Sequence, residues 1–449
     1  MAHFHHIRTV CSGVHRLAKK RTHWKTHLGF LFAAIGSAVG LGNIWRFSYV
    51  AGQHGGGAFL IPYLIVIFLF GIPLLMLELA AGKRFRNSTI PTLQRLHRWG
   101  RSIGFIAIAG PFVILTYYTV VLGWTLAYAL FFLINRPMAF SEFTHTLYPV
   151  VFFVLVVLGT AWLVSRGIQR GIEQICKITI PLLYASLLIL LIRALMLPNA
   201  FEGILFFLTP SLEAAKSPSL WLAAIGQAFF SLSIGYGVYL TYASYENHKD
   251  SIPLSAMVIG IADTLVAFLA GLMIFAFVFA YGIDPRSGPE LAFVVFPKIF
   301  GDMTGGNIFA VIFFLVLFAA GLGATLSMIE VVAAGLIDAC GYTRKKAVEL
   351  IAGLVLLLGL PSALSYAGYK ITLAGKPFLD AIDWFTGTYY LPFSALLLYW
   401  VIAWKWKPQE YLRMINDGHW HIPPQYIFWI QWVIPVVLAV LLIRGVGGA

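Results

Sequence analysis

Charge is scarce in this chain of 449 residues: Asp, Glu, Lys and Arg together make up 11% of it. Soluble domains carry about 25%, so a set of water-soluble domains is excluded. Acidic side chains are the rarer sign, 18 against 31 Lys and Arg, and none occurs before Glu78. Cysteine is nearly missing. Cys11, Cys176 and Cys340 form no disulfide pattern and lie near expected cytoplasmic ends of spans. Residues 1–27 hold Arg8, Arg16, Lys19, Lys20, Arg21 and Lys25 but no apolar core and no cleavage site. They read as a basic cytoplasmic tail rather than a signal peptide. His3, His5 and His6 within it read as solvated side chains rather than metal ligands. No nucleophile motif in a loop points to a membrane enzyme, and no ring of repeated pore-lining residues points to a channel.

Apolar side chains are what the chain has, at 60% of residues. Segments of about 20 apolar residues recur along its whole length, which predicts an all-α, multi-pass membrane protein whose first partner is the lipid bilayer. Eleven spans are expected, at 28–50, 58–82, 103–134, 148–165, 172–195, 218–244, 254–282, 306–337, 346–363, 380–404 and 426–446. The net charge of +13 does not indicate nucleic-acid binding, because the basic residues gather in alternate loops, as orientation in a membrane requires. Placing the N-terminus in the cytoplasm puts 22 of the 31 Lys and Arg on that side. An odd span count then puts the C-terminus outside.

Two spans are interrupted. Gly36-Ser37-Ala38-Val39-Gly40-Leu41-Gly42-Asn43-Ile44-Trp45-Arg46-Phe47 sits inside the first. Each glycine costs a helix about 1 kcal/mol relative to alanine. A helix that breaks at membrane depth exposes N–H and C=O groups that hydrocarbon cannot satisfy, so they must line a wet cavity or bind something. A Gly36/Gly40 packing face is the alternative, but it leaves Gly42, Asn43 and Arg46 unexplained. Phe229-Phe230-Ser231-Leu232-Ser233-Ile234-Gly235-Tyr236-Gly237 breaks the sixth span in the same way. Matching breaks in two five-helix halves point to an inverted-repeat transporter with its site between them. The expected divisions are a tail (1–27), a first repeat of spans one to five (28–197), a second of spans six to ten (198–405), and a cytoplasmic loop with a peripheral eleventh span (406–449).

Five charged residues fall within or at the edge of spans: Arg46, Glu78, Asp263, Glu330 and Asp383. Each costs at least about 2.5–3.5 kcal/mol at the bilayer centre. Glu78 is suited to cap the freed N–H groups of a broken helix. Asp263, amid Ile259-Gly260-Ile261-Ala262 and Thr264-Leu265-Val266, has no basic neighbour in sequence. It is either protonated or paired with a bound cation.

The chain resembles a bacterial member of the neurotransmitter:sodium symporter family. The motifs that carry the resemblance include Arg21-x-x-Trp24, Ser37 to Phe47, Gly55-Gly56-Gly57-Ala58-Phe59, Gly71-Ile72-Pro73-Leu74 with Glu78, and Tyr117-Tyr118. Gly171-Ile172-Glu173, Phe229-Phe230-Ser231-Leu232-Ser233 and Thr241-Tyr242-Ala243-Ser244-Tyr245 follow in order. The resemblance implies sodium-coupled symport of a small-molecule amino acid by alternating access, in the cell's inner (plasma) membrane. It assigns the substrate carboxylate to the backbone around Ala38, Gly40 and Gly42 with the Tyr118 hydroxyl. The amino group and the closing lid fall to Phe230, Ser231, Ser233 and Tyr236. Ile114, Ala324 and Met328 match the side-chain subsite, which holds no charge and so implies an apolar or aromatic L-amino acid.

A first sodium site is implied at the Ala38 carbonyl with Asn43, Ser231 and Asp263, where relatives carry asparagine at 263. A second is implied at the carbonyls of Gly36, Val39 and Ala320. There the two hydroxyl ligands of the family align with Gly323 and Ala324, so both are missing, and Thr325 faces another side. One coupled sodium is the expectation. Chloride-dependent relatives carry serine where this chain has Ala267, which implies chloride independence. Arg46 and Asp383 match an outer latch. Arg21 and Asp338, with Trp24 and Tyr245 packed around them, match an inner one. A transport-inactive sensor on the same fold and a proton-coupled transporter remain as alternatives. The sequence names neither the amino acid nor an oligomeric state.

Overall fold

The structure is a computed structural model and describes residues 23–248, 250–286, 292–367, 371–417 and 421–446. Helix α1 has two halves, His27–Ala38 (α1a) and Gly42–Gln53 (α1b), bent by 45°. Four continuous helices follow: α2 (Gly57–Phe85), α3 (Gly100–Leu133), α4 (Tyr148–Ser165) and α5 (Ile168–Leu195). Helix α6 is again split, into Pro218–Ser231 (α6a) and Val238–Ala243 (α6b). Then come α7 (Ile252–Ala280), α8 (Gly306–Cys340), α9 (Arg344–Ala363), α10 (Phe378–Lys405) and α11 (425–446). The fold is the expected one of eleven spans with discontinuous first and sixth helices, and the span ends lie within four residues of the expected ones. Short helices at Thr89–Leu96, Ala200–Leu208, Val295–Asp302 and Pro408–Ile415 lie between spans and were not anticipated.

The breaks have local causes. At α1 the chain leaves helical geometry at Val39, and the Gly40 N–H is taken by the Asn43 side chain at 2.9 Å instead of by a carbonyl one turn back. At α6, Ser233, Gly235 and Gly237 adopt left-handed backbone (φ 54, 89 and 76°). Glycine is required at 235 and 237 for a second reason, since a Cβ there would run into Ala395 and Thr89.

The N–H groups freed at α6 go to Glu78, which is fully buried on α2. Its carboxylate accepts from Gly235 N (2.9 Å), Leu240 N (3.4 Å) and the Tyr399 hydroxyl (2.7 Å). An unmade hydrogen bond at this depth costs several kcal/mol, so one side chain settles what the break would otherwise leave open. The N-terminus of α1a is secured in like manner by Glu173, which accepts from Lys25 N at 3.0 Å. Helices α3 and α8 are the longest and pack along one another through the middle of the molecule. Helices α4, α5 and α9 turn most of their surface outward, as lipid-facing helices do.

Candidate substrate and cation sites

The two breaks face each other across a narrow cavity. Its wall brings together Ser37, Ala38, Gly40, Gly42, Ile114, Tyr118, Phe230, Ser233, Tyr236, Ala324 and Met328. Every residue assigned to the substrate lies on this wall except Ser231, which turns toward Asp263; Ser37 was not anticipated. Close approach explains the glycines. A Cβ on Gly40 would sit 2.5 Å from the Tyr118 hydroxyl, and one on Gly42 would sit 2.8 Å from the Phe230 ring. The Tyr118 hydroxyl accepts from Leu41 N at 2.8 Å, which leaves its proton to donate elsewhere. The Ser233 hydroxyl donates to the Ser37 carbonyl at 2.8 Å and ties the two breaks together. Among the described residues, no charged side chain lines the cavity.

Behind Ser231 lies the Asp263 carboxylate, fully buried on α7. The Asn43 amide donates to it at 2.6 Å, the Ser231 hydroxyl reaches both oxygens at 2.9 and 3.0 Å, and the Tyr63 hydroxyl stands at 3.5 Å. The three side chains assigned to the first cation thus converge, with Tyr63 added. All of these partners are neutral, so a carboxylate here needs a cation or a proton. In this arrangement the Asn43 oxygen serves Gly40 N and its nitrogen serves Asp263.

The second cation position is built differently. Gly36 and Val39 of α1 and Ala320 of α8 are all buried there. A Cβ on Gly323 would lie 2.5 Å from the Gly36 carbonyl oxygen, so the α8 backbone packs directly on a would-be ligand. The Thr325 hydroxyl donates to Gly321 O at 2.8 Å, within its own helix, and supplies nothing to this position. The Ser37 and Ser327 hydroxyls meet at 2.8 Å instead, a link between α1 and α8 absent from the expected set.

Above the cavity, Arg46 and Asp383 are both buried, with Arg46 Nε 3.6 Å from Asp383 Oδ2. Tyr49 donates to the same carboxylate at 3.0 Å. Arg46 also donates to Gln227 at 2.7 Å and covers the Phe230 ring at 4.9 Å, while Gln227 holds the Gly42 carbonyl at 2.8 Å. Arg46 and Asp383 thus belong to a connected cluster rather than to one isolated ion pair. Below, Trp24 N donates to Tyr245 O (3.2 Å) and Trp24 Nε1 to Tyr242 O (2.9 Å). Asp338 accepts from Ser88 N at 2.9 Å. Arg21, its expected partner, lies outside the described residues.

The sodium:neurotransmitter symporter family matches this chain over residues 21–150 and 138–447. A protein of Methanocaldococcus jannaschii named as an uncharacterized sodium-dependent transporter is 34% identical, over 89% of this chain and 85% of that one. One of Bacillus subtilis with the same description is 33% identical, over 96% and 98%. The chain belongs to the sodium:neurotransmitter symporter family. The crystal structure of the transporter MhsT in complex with L-phenylalanine superposes on this symporter with a TM-score of 0.88 and 36% identity, covering 94% of this chain and 99% of that one. The protein is a sodium-dependent, multi-pass membrane symporter.

Reading the symporter's sequence did not find the partner of Glu330. The structure gives it Arg344, at 2.6 and 2.9 Å, and the Tyr245 hydroxyl at 2.9 Å. Arg344 stands beyond the turn after α8, where no helical spacing connects the two. Gln227 and Tyr63 were missed for another reason, since neutral polar residues in a span do not stand out as charges do.

Proposed function

We propose that this symporter imports an apolar or aromatic L-amino acid, coupled to one sodium ion and independent of chloride. The observation that carries the substrate class is the uncharged wall at Ile114, Tyr236, Ala324 and Met328, with Phe230 above it. The carboxylate of the substrate is held at the α1 break, by the backbone around Ala38, Gly40 and Gly42 with the Tyr118 hydroxyl, and its amino group by the α6 break. A helix broken at membrane depth offers unpaired N–H groups to an anion. That MhsT was crystallised with L-phenylalanine agrees with this class.

Chloride independence rests on Asp263, which supplies a fixed negative charge beside the first cation, and on Ala267, which stands where chloride-dependent relatives carry a serine. Single coupling rests on Gly323 and Ala324, which leave the second position with carbonyls alone. Residues 28–197 and 198–405 act as the two repeats, with the N-terminus in the cytoplasm and the C-terminus outside. The contact of Arg46 with Asp383 and the bonds of Trp24 to Tyr242 and Tyr245 support reading these residues as the two gates of an alternating-access cycle.

Uptake by proteoliposomes with an imposed sodium gradient tests the reading. Leucine, tyrosine or tryptophan should compete with the transported amino acid, and lysine and glutamate should not. Preference for a charged amino acid would overturn the substrate class. Binding without accumulation would mark a sensor.

A further inference from the structure

Outside the transport site, the first residue of α1a meets the loop between α6b and α7. His27 Nδ1 lies 2.7 Å from Asp250 Oδ2 and 3.6 Å from Glu246 Oε2, and all three ligand atoms lie within 4.8 Å of one another. We propose that His27, Glu246 and Asp250 form a binding site for a transition-metal dication, with zinc the best match, that fastens α1a to the α6b–α7 loop.

Three observations carry this. First, each of the three atoms is buried, and none has a hydrogen bond of acceptable direction. Close approach without direction is what a bridging ion explains and a simple imidazole–carboxylate hydrogen bond does not. Second, the Glu246 side chain is fully buried, and its other oxygen is held by His248, through Nδ1 at 2.6 Å and N at 2.9 Å. That leaves Oε2 aimed at His27, as outer partners orient a metal-ligating carboxylate. Third, one imidazole nitrogen with two carboxylate oxygens is a zinc donor set, and tetrahedral ligands at about 2.0–2.2 Å stand about 3.3–3.5 Å apart. The 3.6 Å separation fits; the 2.7 Å one must widen on binding. His27 and Asp250 stay partly exposed, at 25 and 33%, so an ion can enter and a water can complete the shell.

Lys83 and Arg86 oppose a cation here. Lys83 points its ammonium at the Asp250 carbonyl (2.9 Å) and is also drawn by Asp417, and Arg86 bonds to Asn247. Two carboxylates outweigh the one ammonium that touches the site. The sequence also spaces His23 and His27 four apart, a metal-binding spacing on a helix, but the helix starts at His27 and His23 is not among the converging groups.

The site joins the two elements whose contacts, through Trp24, close the lower end of the cavity, so a bound ion should hold that end shut; this consequence rests on the alternating-access reading. The test is made on the full chain with His3, His5, His6, Cys11 and His15 replaced by alanine, which removes every histidine and cysteine before His23. Calorimetry with zinc chloride should show one ion per chain. His27→Gln and Asp250→Asn should each weaken it by at least about tenfold, since even outer partners of a metal are worth that much. His27→Cys should retain zinc and gain cadmium affinity, because a thiolate is a softer ligand; a merely structural histidine would give no such rescue. Melting without metal establishes that each variant folds. Hydrogen exchange should slow on zinc addition over residues 27–38 and 244–251 in the parent, and not in His27→Gln. No binding after removal of the tail histidines and cysteine, or equal binding in His27→Gln, would overturn the site. Binding with unchanged exchange would overturn the fastening. Neither measurement depends on transport, so a failed uptake assay would count against the transport reading alone.

Discussion

The broken first helix meets neighbours on two sides, and the two sides are built differently. Toward α6 and α7, the partner is a full polar set: Asp263, Ser231, Asn43 and Tyr63 within hydrogen-bonding reach of one another. Toward α8, the partner is Gly323, whose missing Cβ lets the backbone press on Gly36 O. A buried carboxylate with hydrogen-bonding neighbours joins the helices on one side, and direct backbone contact joins them on the other. A join between helices can thus be made by a polar cluster or by removing a side chain, and this protein shows one of each.

The strongest way to break the comparison is Asp263→Asn, which removes the only formal charge at the first position. Sodium binding to the substrate-free protein should weaken by at least about tenfold, since ligand charge sets cation affinity. Unchanged affinity, read by calorimetry, would mean that Asp263 is protonated and that protons carry the coupling. Next in size is stoichiometry. Initial uptake should depend on sodium with a Hill coefficient near one, and reversal potentials should report a single sodium per substrate. A clear two-sodium result would erase the contrast between the two sides.

Gly323→Thr sharpens the contrast in a smaller way. Its Cβ meets a backbone oxygen rather than a flexible side chain, so overpacking should cost about 1–3 kcal/mol, read as a lower melting temperature. A threonine here restores a cation ligand only if α1 retreats from α8. Combined with Ala324→Ser it should then raise the sodium order; alone it should not. Ala324→Ser by itself should be the mildest change. It adds a hydroxyl beside the cavity and should leave melting within about 0.5 kcal/mol of the parent.

Much of this was legible before any coordinates. The spans announce themselves by length and apolarity, and the two breaks by glycine where a helix resists it. Glu78 could be assigned to a break because a buried carboxylate needs donors and a broken helix supplies them. Legibility stopped where an interaction joins distant elements without a charge or a spacing to mark it. Gln227 on Gly42 O and Arg46, and Ser37 on Ser327, are such contacts. The tightness at Gly323 was hidden for the same reason: a missing hydroxyl can be read from sequence, but the neighbour that fills the space cannot.

Glu78 has a further consequence. It ties the start of α6b to Tyr399 of α10, and α10 begins at Phe378, five residues before the Asp383 of the outer closure. Between Asp383 and Tyr399 the helix carries a π-helical turn, Thr386–Tyr390, the kind of interruption at which helices bend. One buried carboxylate therefore fastens the far half of α10 to α2 and to the α6 break, while the half that carries Asp383 is joined to it only through that turn.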